Sequence, residues 1–210
     1  MLLYLAVSLQ ALAPATGAPP AQALAVAGSQ DASSQAGPTD PDDPFPVYWE
    51  DDYWTVTSDA EGHSCTASKW SQHEDWGEME LRLVYWPLDR MFLLGFTSTV
   101  TTSLPGKGEE TIEIAFLNNG GIEYDDGWGA RDFYYTALPD GSHYFTDIFS
   151  GTENLAQISS DISQSSHVGF SHDGNLFAGA TLTGSKVALK HLRECAFALN
   201  DLNPNDPFVR

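Results

Sequence analysis

The chain has 210 residues, 42% hydrophobic and 12% aromatic, enough to bury one sizeable core, and at roughly 100 to 200 residues per domain one folded domain is expected. Its 9 Lys and Arg stand against 29 Asp and Glu, a formal charge of −20. Such a surface repels phosphate backbones and anionic lipid, which sets aside nucleic acid and polybasic membrane docking as main roles and leaves a basic protein, a cation or a glycan as the remaining partners. Every one of the first 68 residues is neutral or acidic, with nine acids from Asp31 to Glu61, and the first basic residue is Lys69. Adaptation to salty surroundings explains such acidity without any ligand.

Leu2 to Ala13 (LLYLAVSLQALA) is a short apolar stretch followed by small-x-small sites at Ala21-Gln22-Ala23 and Ala25-Val26-Ala27. That is the layout of a secretory signal peptide over residues 1–27, and the run is too short to span a bilayer core of about 30 Å. A leader ordinarily opens on Lys or Arg and this one has neither, which places the expected true start upstream. Residues 28–46 (GSQDASSQAGPTDPDDPFP) lack the apolar surface to offset their ordering entropy and read as a disordered acidic linker. The expected product is periplasmic or secreted.

From Val47 the dominant signal is alternation. Glu78 to Trp86 places Met79, Leu81, Leu83 and Tyr85 on one face of a strand, and Pro87 to Arg90 turns the chain into the apolar run Met91 to Thr97. Thr111 to Leu117 alternates again and ends at the turn Asn118-Asn119-Gly120-Gly121. Asp132 to Leu138 and His143 to Phe149 flank Pro139-Asp140-Gly141, and Val168 to Ser171 and Leu176 to Leu182 flank Asp173-Gly174-Asn175, giving two further hairpins. Ser150-x-x-Glu153 reads as a capping box opening a two-turn helix, Asn154 to Ile158. A second helix over 185–199 puts Ala188, Leu192, Cys195, Ala196 and Leu199 on one face, with Lys186, Lys190 and Arg193 off that stripe as a basic patch. The expected fold is α+β, mostly β: an antiparallel sheet or sandwich of hairpins with a short helix and a C-terminal helix packed on it. The domain is bounded at 47–199, and a flexible tail follows at 200–210.

The two cysteines, Cys65 and Cys195, read first as one disulfide in an exported chain. A bridge across about 130 residues is worth roughly 4 to 5 kcal/mol in the chain-entropy model. The sharper alternative is a nucleophilic Cys195 with His191 one helical turn before it. A zinc site is not supported, because His63 and His191 show no zinc spacing. Gly179 to Lys186 imitates a phosphate loop, yet the order Gly-Ser-Lys replaces the Gly-Lys-Ser/Thr that the chemistry needs, so a strand-to-helix turn capped by Thr183 or Ser185 is preferred.

Tyr124-Asp125-Asp126-Gly127-Trp128-Gly129 joins two carboxylates to an exposed-looking tryptophan, a candidate calcium or carbohydrate loop that Asp132, Asp140 or Asp147 would have to complete. In the hairpin at 132–149 a two-residue loop would set Tyr134, His143 and Asp147 on the face opposite Phe133, Tyr135, Tyr144 and Ile148, a constellation for acid/base work or sugar stacking. Cross-strand packing is the plainer account. The six tryptophans, among them Trp49, Trp54 and Trp70, invite the same carbohydrate reading, and no hydrolase signature accompanies them.

The segment Leu182-Thr-Gly-Ser-Lys-Val-Ala-Leu-Lys-His-Leu-Arg-Glu-Cys195 resembles the ending L-x-G-S-x-x-A-L-x-x-L-x-x-C of small exported proteins of proteobacteria, and the stretch Trp54 to Ala67 is similar to their early W-x-V-x…C-x-A. Some of these are grouped with invasion-associated locus B proteins, exported β-rich proteins without assigned catalysis. The resemblance implies a periplasmic location and a Cys65 to Cys195 bridge, and it carries over no catalytic residue. The reading is a disulfide-stapled β-rich protein with a binding or structural role, with no catalytic residue, cofactor or resident metal assigned. A carbohydrate- or calcium-binding module through Asp125, Asp126 and Trp128 is the alternative, and a hydrolase-type enzyme using Tyr134, His143 and Asp147 the next.

Overall fold

A computed structural model describes residues 43–73, 77–100, 104–118 and 128–202. The leader, nearly all of the linker, the loop at Asp125 and Asp126 and the tail beyond Leu202 lie outside the described residues. The alternating segments form β1 (Val47–Glu50), β2 (Thr55–Asp59), β3 (Ser64–His73), β4 (Gly77–Trp86), β5 (Met91–Ser98), β6 (Lys107–Leu117), β7 (Ala130–Ala137), β8 (His143–Ser150), β9 (His167–His172) and β10 (Asn175–Thr181). The helices are α1 (Thr152–Gln164) and α2 (Ser185–Leu199). All strands pair antiparallel in one sheet of order β1-β2-β3-β4-β5-β8-β7-β6-β9-β10. Both edge strands carry a register irregularity, β1 between Val47 and Trp49 and β10 between Leu176 and Ala178, which interrupts the ladder a foreign strand would need.

The sheet curls until its inner face closes on itself. Phe96 of β5 stacks at 3.9 Å on Phe170 of β9, four places away in the strand order, and β10 packs against β4 without a ladder between them. Phe133, Phe145 and Phe177 join Phe96 in edge-on, face-on and tilted contacts respectively. At the other end the inner face is covered by helices, α2 lying over β2, β3 and β4, and α1 over β8 and alongside α2. The expected antiparallel sheet with a C-terminal helix packed on it is therefore the fold found.

The disulfide joins Cys65 of β3 to Cys195 of α2, with Cα atoms 6.2 Å apart and both side chains buried. This overturns the alternative of a nucleophilic Cys195, and His191 instead stacks on Trp49 of β1 at 4.4 Å. Helix α1 runs to Gln164 rather than stopping at Ile158, because Ile158 and Ile162 recur one turn apart on its buried side while polar residues fill most of the rest. The expected Ser150–Glu153 capping box is not formed: Gly151 is the N-cap and no side chain caps the helix. Helix α2 likewise starts at Gly184, with φ +81° in the region glycine favours, and neither Thr183 nor Ser185 caps it. The Ser185 hydroxyl donates instead to the Ile162 carbonyl at 2.8 Å, and the Trp54 indole donates to the Thr183 carbonyl, so the phosphate-loop look-alike serves as a packing junction.

Candidate functional site

The hairpin constellation separates in three dimensions. Ala137 pairs with His143 across a five-residue connection, so Tyr134 faces Thr146, and one residue of register moves a side chain to the opposite face. His143 and Asp147 consequently share the inner face with Phe133 and Tyr135, while Tyr134 stands on the outer face with Tyr144 and Ile148, correcting the expected grouping. His143 is buried, its Nε2 3.2 Å from the Pro105 carbonyl, and Asp147 forms an ion pair with Arg131. Tyr134 is 63% exposed, and its hydroxyl bond to Glu109 raises its pKa. These three side chains do not converge on one pocket.

Of the other candidate loop, Trp128 is described, and it is buried rather than exposed. Its indole donates to Asp161 of α1 at 2.8 Å, its ring meets Phe149 edge-on at 5.0 Å, and the Arg131 guanidinium lies between the two rings' reach, 4.5 Å from Phe149 and 5.6 Å from Trp128. Packing has taken the face a sugar would stack on. The helper acids are engaged too: Asp132 accepts from the Thr111 hydroxyl, and Asp140 accepts from the Ser142 amide and hydroxyl, bonds that lower its pKa. Among the described residues no three His, Cys, Asp or Glu side chains gather as a metal site.

A groove of about 810 Å³ lies between α1, α2 and the β4–β5 turn. Its size falls in the range of roughly 300 to 1,000 Å³ usual for ligand sites. Apolar side chains make its floor, namely Phe92 from β5, Leu189, Leu192 and Phe197 from α2 and Leu155 from α1. Residues Lys186, Lys190, Arg193 and Phe197 recur at steps of four, three and four, which puts them along one side of α2. Thr152, Ala156, Ser159 and Ser163 recur in the same way along α1, giving an opposite wall of small, uncharged side chains. Arg90 enters from the turn, where it holds a φ of +52° that a non-glycine residue rarely adopts.

Four of the chain's nine Lys and Arg therefore line this one groove, with Glu194 as the one carboxylate among its described lining residues. Glu194 lies 3.6 Å from Lys190 and 3.0 Å from His191. Tyr85 marks the meeting point: burial raises its hydroxyl pKa, and the charges of Arg193 and Arg90, from α2 and the turn, both pull it back down. Arg193 also lies over the Phe197 ring at 5.1 Å, so a cation and the apolar floor are presented together. The arrangement suits a ligand with negative charge and apolar surface.

The basic patch on α2 was visible in the sequence, but Arg90 and the α1 wall were not, since only the tertiary fold brings residue 90 beside residues 186–193. A second feature the alternation concealed is Lys69, which points inward from β3, buried, donating to the Thr181 hydroxyl at 2.9 Å and lying 5.3 Å from the Tyr53 ring centre. Burial lowers its pKa, against the opposing pull of Asp51. No protein family, curated protein or solved structure matches the chain.

Proposed function

We propose that the chain is an extracytoplasmic, non-catalytic binding domain that holds an anionic ligand with apolar surface in the groove between α1 and α2. The observation that carries this reading is the concentration of Arg90, Lys186, Lys190 and Arg193 around one apolar cleft in a molecule of net charge −20. The buried Cys65–Cys195 bridge supports an oxidising compartment, as do the leader-like residues 1–27 and the resemblance to exported proteins. Among the described residues no helix is long and apolar enough to cross a membrane.

The direct test uses 8-anilinonaphthalene-1-sulfonate, an anion on an aromatic body, titrated against the native protein by fluorescence. Wild type should bind it, and Lys186→Glu should weaken binding at least about tenfold, an effect of roughly 1.4 kcal/mol, with the melting temperature held because an acid in the first turn suits the helix dipole. Equal binding by wild type and variant would remove the groove from consideration.

A further inference from the structure

We infer that the groove's ligand is an extended acidic peptide segment, with carboxylates at alternate positions and apolar side chains between them; this rests on the reading of the groove as an anion site. A single-headed amphiphile would call for cations gathered at one end of an enclosed apolar tunnel. Here the cations are spread along the groove instead. From Lys186 to Lys190 the helix rises about 6 Å and from Lys190 to Arg193 about 4.5 Å, so positive charge recurs at every turn of the wall while the apolar floor runs beneath it.

An extended chain returns a side chain to the same face about every 6.6 Å, close to the spacing of Lys186 and Lys190. Acids at alternate positions would then face the α2 cations while the intervening residues turn toward Phe92, Leu189 and Phe197. The span from Lys186 to Phe197, eleven helical steps or about 16 Å, accommodates about five extended residues. The opposite wall matches the peptide main chain, because Thr152 and Ser159 offer hydroxyls to amide groups and Ala156 lets the backbone approach. At long range the molecule's overall negative charge opposes any anion, the acidic peptide included, so apolar contacts must contribute to holding it.

The experiment is fluorescence anisotropy with a labelled nine-residue peptide alternating Glu with Leu and Phe, a partner peptide with Lys in place of Glu, and dodecanoate as competitor, on the full chain. The acidic peptide should bind, the Lys peptide should bind at least tenfold more weakly, and Lys186→Glu and Arg90→Gly should each reduce acidic-peptide affinity about tenfold without lowering the melting temperature. Arg90→Gly keeps the test open if charge reversal disturbs α2, since glycine accepts the positive φ at that position. Binding of dodecanoate, weakened by Lys186→Glu, with no binding of the acidic peptide would overturn the peptide inference and leave the anion-site reading standing. If neither probe binds, both fall, and acidic-peptide binding indifferent to both substitutions would place the ligand elsewhere and overturn the inference.

Discussion

The two ends of the curled sheet are closed by different physics. At one end Phe96, Phe133, Phe145 and Phe170 meet ring to ring at 3.9 to 6.2 Å, held by apolar packing among the rings. At the other end two helices lie on the sheet, α2 is fastened to β3 by a disulfide, and a groove remains between the helices. A covalent staple holds an element in place without demanding that every neighbouring surface interlock. The stapled end is the end that keeps an opening, lined by Arg90, Lys186, Lys190 and Arg193.

Removing the staple should produce the largest effect. Cys65→Ala with Cys195→Ala should lose up to about 5 kcal/mol in urea unfolding, since the bridge closes 130 residues of sequence, and should also weaken ligand binding because α2 carries most of the groove's charge. Phe96→Ala should cost about 3 to 5 kcal/mol by transfer and cavity terms while leaving the affinity of the folded fraction unchanged. If both variants weakened binding equally, the proposed division between the two ends would not exist.

Smaller substitutions sharpen the same contrast. Asp147→Asn breaks the ion pair with Arg131 beside Phe149 and should cost about 1 to 3 kcal/mol in thermal or urea unfolding. Lys69 is held with a lowered pKa by burial, so the unfolded chain binds more protons than the native one between its lowered and ordinary values, and its contribution to stability rises with pH through that window. Lys69→Met should abolish that rise, measured by urea unfolding on the alkaline side of neutrality. His172 shows the opposite sign: its bond to the Thr111 carbonyl, followed by the charges of Asp173 and Glu110, raises its pKa. Its contribution is present in full below the ordinary histidine value and lost as pH climbs through the raised one, so His172→Gln should destabilise by less than about 1 kcal/mol at pH 5.5 and not at pH 9.

The strands most legible in the sequence are those with one clean apolar face. Met79, Leu81 and Leu83 announced β4, and the run from Met91 announced β5, because burial there follows hydropathy. Strand β3, strand-like in the sequence from Cys65 to Trp70, inverts the rule by burying Lys69 and leaving Trp70 66% exposed, and β2 contains only one strongly apolar residue, Val56, so it did not stand out. The hairpin at 132–149 was found, yet its faces were exchanged, because Leu138 and Ser142 extend its connection and a one-residue change in pairing reverses every side chain. Periodicity located the α2 cations relative to the buried stripe. It could not locate Arg90, whose part in the groove depends on a turn folded back beneath a helix almost a hundred residues away.

The most direct test of the account is amide chemical-shift mapping of isotopically labelled protein during titration with the acidic nine-residue peptide. The predicted result is a set of perturbations confined to α1, α2 and residues 85–92, saturating with the anisotropy curve and absent around Phe96 and on the outer face at Tyr134. Perturbations centred on either of those regions, or none at peptide concentrations that saturate anisotropy, would contradict the assignment of the groove as the binding site.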